Sequence, residues 1–228
     1  MFARRSLMVL ALALSIVRCA DQPTGVRQPS PTRRAVRWAG NSAPQLSAVK
    51  PLLGGNPNGI LQTPPISLEH YSVSFWAVRG EARSVQINYL DSNGGTEHPF
   101  LLLTTTDPEF DPARGELAQG DSVLITVTVD TTNVGLTLEP SGLRFGTPAQ
   151  MQIWYGGAGG DLNGDGVADS TDAYVESQLL GLWYREGTVD EWTQVSATQS
   201  LQDKSFTYAL PHFCEYELSY LMDWVVSW

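Results

Sequence analysis

Six residues between Asp161 and Asp172 have the types and spacing to hold a hard cation. In Asp161-Leu-Asn163-Gly-Asp165-Gly166-Val167-Ala-Asp169-Ser-Thr-Asp172, oxygen-bearing side chains stand at loop positions one, three, five, nine and twelve, with glycine at six. Calcium binds oxygen ligands spaced in this way along a tight loop, with a sharp turn in the middle. Asp161, Asn163 and Asp165 would each offer one oxygen, Gly166 allows the turn, and Val167 would contribute its carbonyl. Asp169 would act directly or through water, and Asp172 would close the site. Asp, Asn and Gly are also the commonest residues of a solvated turn, but five oxygen side chains in register favour calcium as the ligand of this loop.

Other chemistry finds less support. His70, His98 and His212 are scattered, with neither a His-Glu-x-x-His zinc spacing nor a Gly-x-Ser-x-Gly elbow around a serine. The run Gly156 to Gly160 leads into an acidic loop rather than a helix with a basic residue, so it would repel phosphate and reads as a flexible lead-in. Glu215 and Glu217 alternate along a strand, which a solvated face explains better than paired glycosidase carboxylates do. Trp76, Trp154, Trp183, Trp192, Trp224 and Trp228 suggest an alternative, a sugar-stacking platform of an extracellular carbohydrate-binding module. Tryptophans in a sandwich more often serve as core or cross-strand pairs.

Fourteen basic against twenty-four acidic residues give the 228-residue chain a net charge of −10. Such a field repels phosphate backbones and excludes sequence-independent nucleic-acid binding. With 42% hydrophobic residues the chain can bury a core. Only two cysteines occur, Cys19 and Cys214, so no disulfide framework holds the fold.

The elements that must position these groups begin with a targeting segment. Arg4 and Arg5 precede an apolar run from Leu7 to Val17, too short to span a bilayer stably and of the length of a signal peptide core. Its end, Ser15-Ile16-Val17-Arg18-Cys19, resembles the lipobox of bacterial lipoproteins, in which cleavage precedes a cysteine that receives diacylglycerol. The resemblance implies an extracytoplasmic protein of the cell envelope, anchored to a membrane through lipid on Cys19. Arg18 departs from the small residue usual there, and plain secretion is the alternative.

Residues 20–64 are dense in proline and glycine and read as a disordered tether. From residue 65 onward, short β-rich runs recur between Gly, Asn, Asp and Pro, which predicts an all-β antiparallel sandwich. Residues 65–120 form a β-rich N-terminal part and 121–228 a sandwich interrupted at 156–180 by the Asp-rich loop and a short helix over 171–180. Tyr71 to Val78 and Ser84 to Leu90 look like one hairpin. Leu182 to Arg185 with Glu191 to Val195 look like a second, and Phe206 to Leu210 with Glu215 to Leu221 a third. Asp121 to Asp130, with Val123, Ile125, Val127 and Val129 on one face, is the clearest strand.

The stretch Gly135-Leu-Thr-Leu-Glu-Pro-Ser-Gly-Leu-Arg-Phe145, with Leu182-Trp183-Tyr184, Trp192, Phe206 to Leu210 and His212-Phe213-Cys214-Glu215-Tyr216, resembles bacterial sandwich domains of the zonula-occludens and netrin-receptor type. That resemblance covers roughly residues 121–221 and implies an interaction or scaffold role without metabolic activity. Cys214 stands where those domains carry serine in a His-Phe-Ser motif. In some eukaryotic relatives that serine attacks the preceding carbonyl, so a second alternative is self-cleavage between Phe213 and Cys214, with His212 taking the thiol proton. Burial of Cys214 as a small hydrophobe is the stronger expectation. The loop itself resembles a single EF-hand-like segment of a dockerin module, with aspartate at its last position. A dockerin carries two such segments and this chain one, so calcium binding is expected and cohesin docking is not. The combined expectation is a non-enzymatic, envelope-anchored or secreted interaction protein, stabilised by one calcium ion, with a protein or glycan partner.

Overall fold

The computed structural model describes residues 32–49, 66–91 and 96–222. The expected targeting segment, Cys19, Trp224 and Trp228 lie outside the described residues. No described helix is long and apolar enough to cross a membrane.

The strands, in chain order, are β1 (Thr32–Ala35), β2 (Leu46–Val49), β3 (Ile66–Ser67), β4 (Ser72–Val78), β5 (Arg83–Leu90), β6 (Glu97–Thr105), β7 (Pro108–Asp111), β8 (Gly115–Glu116), β9 (Ser122–Val129), β10 (Gly135–Glu139), β11 (Arg144–Trp154), β12 (Gly181–Arg185), β13 (Thr193–Gln194), β14 (Thr198–Ser200), β15 (Ser205–His212) and β16 (Glu215–Met222). They form two antiparallel sheets. One runs β13-β12-β16-β10-β9-β4 with β1 also on β16, and the other β14-β15-β11-β6-β5-β2-β3 with β7 on β11 and β8 on β7. The expected all-β sandwich is therefore the fold.

Period-two alternation explains the layering, because successive side chains of a strand face opposite sides of its sheet. In β9, Val123, Ile125, Val127 and Val129 are buried while Leu124 is exposed. In register with β9, β4 brings Phe75 opposite Ile125 and Ala77 opposite Val123. Across the core, Val85 and Ile87 of β5, Leu101 and Leu103 of β6, and Met151 and Ile153 of β11 are fully buried.

Two of the three expected hairpins are corrected. β4 pairs with β9 and β5 with β6 and β2, so the turn after Val78 carries the chain from one sheet to the other. Gly80 makes that turn at φ +90°, and its N–H donates to Thr106 O at 2.8 Å. β15 pairs with β11 while β16 pairs with β12, β10 and β1. The link between them, Phe213-Cys214, is buried at both positions, which breaks the alternation a hairpin would keep. The β12–β13 hairpin forms as expected, with Trp183 opposite Gln194.

Residues 32–49 also depart from expectation. Instead of a loose tether, they contribute β1 to one sheet and β2 to the other. Val36, Trp38, Leu46 and Ala48 are buried, and Trp38 Nε1 donates to Asp130 O at 2.7 Å. Burying these apolar side chains offsets the ordering cost of a proline-punctuated segment. Strands from before and after residue 120 share both sheets, and all the described residues fall in one compact unit.

Candidate metal centre

The Asp161–Asp172 loop follows β11 and a 3₁₀ turn at Gly156–Ala158 and ends in a short helix, α1 (Ser170–Tyr174), continued by a π-helical turn over Val175–Leu179. This agrees with the expected helix over 171–180. The helix starts here because Asp169 caps it: its carboxylate accepts from Thr171 N at 2.7 Å, while Asp172 accepts from Asp169 N at 2.9 Å, a reciprocal capping box. Leu162, Val175 and Leu180 sink into the common core, although Ala173 faces out. Gln199 Nε2 donates to Glu176 O at 2.9 Å, and Lys204 lies 3.7 Å from the Glu176 carboxylate, fastening the insertion to the strands beside it.

Inside the loop each oxygen side chain organises backbone. Asp161 Oδ1 accepts from Gly164 N at 2.8 Å and Asp165 N at 3.1 Å, and its Oδ2 accepts from Gly166 N at 2.8 Å. Asn163 Oδ1 accepts from Asp165 N and Asp165 Oδ1 from Val167 N. Asp172 Oδ1 reaches back across the loop to Leu162 N at 2.8 Å and Asn163 N at 3.0 Å. Gly164 and Gly166 sit at φ +74° and +95°, which non-glycine residues adopt only with strain.

The structure thus brings Asp161, Asn163, Asp165 and Asp172 into one hydrogen-bonded ring, with Asp169 at its edge and Val167 exposed. A carboxylate offers about four lone-pair sites. The N–H groups occupy three on Asp161, which keeps one for another partner, whereas Asp172 accepts from Leu162, Asn163 and Asp169 and is stabilised by its own N–H as well. Among the described residues, no group of three or more His, Cys, Asp or Glu side chains is arranged to hold a metal as it stands; the ligand set expected here draws also on an amide and a main-chain carbonyl.

Among the described residues, Asp161, Asp165, Asp169 and Asp172 make no salt bridge, whereas Asp107 pairs with Arg79, Asp111 with Arg114, Glu215 with Arg185 and Glu217 with Arg33. Asp172 is 3% exposed. Burial pushes its carboxyl pKa up, but the N–H groups of Asp169, Asn163 and Leu162 outweigh burial and hold it below the ordinary 3.8. Amide dipoles are therefore the compensation for the buried charge of Asp172.

A cleft of ≈ 930 Å³ opens beside the loop. Asp161, Asn163 and Asp165 line it together with Arg34, Arg37 and Asn41. Tyr220 also lines the cleft, and its hydroxyl donates to Asn163 O at 3.5 Å. The start of the glycine run, Gly156-Gly157, is packed, not free. A Cβ on Gly157 would lie 2.7 Å from the Trp38 ring, and one on Gly156 2.8 Å from the Tyr89 hydroxyl. The flexible lead-in expected from its composition is thereby corrected. Nothing local in the sequence pointed to Arg34 and Arg37, which reach the cleft only because β1 pairs with β16.

The remaining candidates are placed elsewhere. Cys214 is buried, and desolvation pushes its thiol up to about 12, so the protonated form prevails. The carbonyl of Phe213 accepts from Gly142 N at 2.9 Å, and His212 lends its own carbonyl to the Tyr216 hydroxyl at 3.0 Å. Glu217 corrects the solvated-face reading: it is 5% exposed and bonded to Arg33, Asn133 and Ser219. Among the described tryptophans, Trp76 is exposed on β4 at the end of one sheet, Trp154 belongs to the other sheet, and Trp183 is buried. Trp192 is stacked between the guanidinium groups of Arg33 and Arg185, at 4.3 and 4.8 Å from its ring centroid. His70 and His98 stand apart from the loop and the cleft.

Comparison with protein families, curated proteins and solved structures finds no match to this chain.

Proposed function

We propose that this chain is a non-enzymatic interaction protein of the cell envelope, held by lipid at Cys19 or secreted, whose binding surface is ordered by one calcium ion in the Asp161–Asp172 loop. The observation that carries the reading is the hydrogen-bonded ring of Asp161, Asn163, Asp165 and Asp172, with Asp169 at its edge, whose carboxylates make no salt bridge among the described residues and accept from backbone N–H groups. Calcium supplies the missing positive charge; Asp161, Asn163, Asp165, Asp169, Asp172 and the Val167 carbonyl would hold it. Binding there adds positive charge to an acidic loop and orders the part of the cleft that Asp161, Asn163 and Asp165 line. The sandwich then presents that part of the cleft to a protein or glycan partner, as the resemblance to scaffold-type sandwiches implies.

Calorimetric titration of the purified chain with calcium tests this. One ion is expected per chain, with the heat abolished in Asp161→Ala/Asp165→Ala. A wild-type chain that gives neither heat nor a thermal shift with calcium reduces the loop to a solvated turn and removes the reading.

A further inference from the structure

A strand at the end of a sheet presents unpaired N–H and C=O groups, and folded proteins blunt such edges by shortening them, charging them or placing proline in them. Among the described residues most terminal strands follow this pattern: β3, β8 and β13 are two residues long, β14 is three, and β1 carries Arg33 and Arg34. β4 does not. It ends its sheet beyond β9 with seven residues, Ser72-Val-Ser-Phe-Trp-Ala-Val78, that hold neither charge, nor proline, nor a register shift. Near its middle Trp76 is 55% exposed, and Leu124, its partner in register on β9, is 45% exposed.

The hydrogen-bond pattern fixes which main-chain groups are free. Arg79 N donates to Asp121 O, and on the far side of β9 Asp130 N donates to Gly135 O. Residues of an antiparallel strand alternate between bonding one neighbour and facing the other. Val73, Phe75 and Ala77 therefore turn their N–H and C=O groups to β9, while Ser72, Ser74 and Trp76 turn theirs outward, where no described residue meets them. Val78 also faces outward, but its carbonyl already accepts from Glu81 N at 3.1 Å. The three free residues are spaced evenly about Ser74. A twofold axis through Ser74 pairs Ser74 with itself and Ser72 with Trp76, so every free group meets a complement and none is left over. The same register sets Val73 against Phe75 on the inner face and lays each Trp76 beside the Ser72 of the other copy. No like charges meet along the strand.

We infer that β4 is a self-association surface: two copies of this chain join β4 to β4, antiparallel about a twofold axis at Ser74, and their sheets become continuous across the contact. The occupant is a second copy because the edge is complementary to itself in length, in hydrogen-bond register and in its lack of charge. Neither the Asp-rich loop nor calcium enters this inference. Each chain carries −10, so long-range repulsion opposes the contact and salt, by screening it, favours it.

Sedimentation equilibrium of the full chain, with amide hydrogen exchange followed in parallel, tests this. The expected result is a monomer–dimer equilibrium that tightens as salt is raised. Exchange at Ser72, Ser74 and Trp76 should slow as protein concentration rises, while Val73, Phe75 and Ala77, already bonded to β9, stay unchanged. Ser74→Pro removes the central outward N–H and is expected to weaken dimerisation roughly tenfold or more. Trp76→Lys, a change on an exposed side chain that leaves the core intact, is the second variant and should weaken it as much. A chain that stays monomeric at every concentration and salt overturns the inference, and slow exchange at Ser74 in that monomer assigns the edge to a segment of the same chain. A dimer that both variants leave intact, or whose concentration-dependent protection lies outside β4, overturns it as well.

Discussion

At the scale of single residues, the Asp-rich loop depends on Asp172 more than on the aspartates at its rim. Its carboxylate ties positions two and three to position nine, so the ring is closed by one buried anion. A group whose folded pKa is held down contributes stability above its unfolded pKa, and that contribution is lost as pH falls through the folded pKa. Without calcium, the loop is therefore expected to loosen below about pH 3.8, the ordinary value, as pH falls through the lower folded value. Asp172→Asn should flatten this acid limb, which amide exchange at Leu162 and Asn163 would follow. Gly157 is a second sensitive point. Gly157→Ala drives a Cβ into the Trp38 ring and is expected to cost about 1–3 kcal/mol in urea unfolding. Gly40→Ala, where the space is open and only the positive φ opposes a side chain, should cost roughly 1 kcal/mol.

At the scale of elements, alternation told which side of a strand faces the core but not which sheet owns it. The runs at β4 and β9 were legible because apolar residues recur with period two, and β12 because Leu182-Trp183-Tyr184 is a short apolar and aromatic run bounded by Gly181. The β4–β5 and β15–β16 partnerships were not, because a short polar link and a sheet-crossing link look alike when both flanking strands are half buried. β1 and β2 escaped for another reason: Arg33, Arg34 and Arg37 alternate with few apolar residues, and nearby prolines mask the pattern. The loop's spacing was plain in the sequence, whereas its cleft was not, since Arg34 and Arg37, which also line it, lie more than a hundred residues upstream. A chain beginning at residue 65 would lack β1, β2 and Trp38 and would leave Glu217 buried without Arg33. It is expected to lose the cooperative thermal transition of the full chain. Arg33→Ala alone should cost about 1–3 kcal/mol, since Glu217 retains Asn133 and Ser219.

At the scale of the whole molecule, a net charge of −10 makes calcium a favoured counterion even before the loop is considered. With ~1 mM calcium and a dissociation constant near ~10⁻⁴ M, linkage contributes about 1.4 kcal/mol. For a domain of this size that raises Tm by roughly 3–6 °C, a shift that Asp161→Ala/Asp165→Ala should abolish in differential scanning calorimetry. The β1–β16 ladder has a further consequence, for mechanics. Thr32 lies opposite Met222, so the two ends of the described chain leave the sandwich side by side. A load pulling those ends apart peels the ladder one hydrogen bond at a time, whereas a load along the strands between Thr32 and the body of the sandwich strains all its bonds together. The first yields at low force and the second resists, so the direction of pull, not its strength alone, decides whether Trp38 stays in the core.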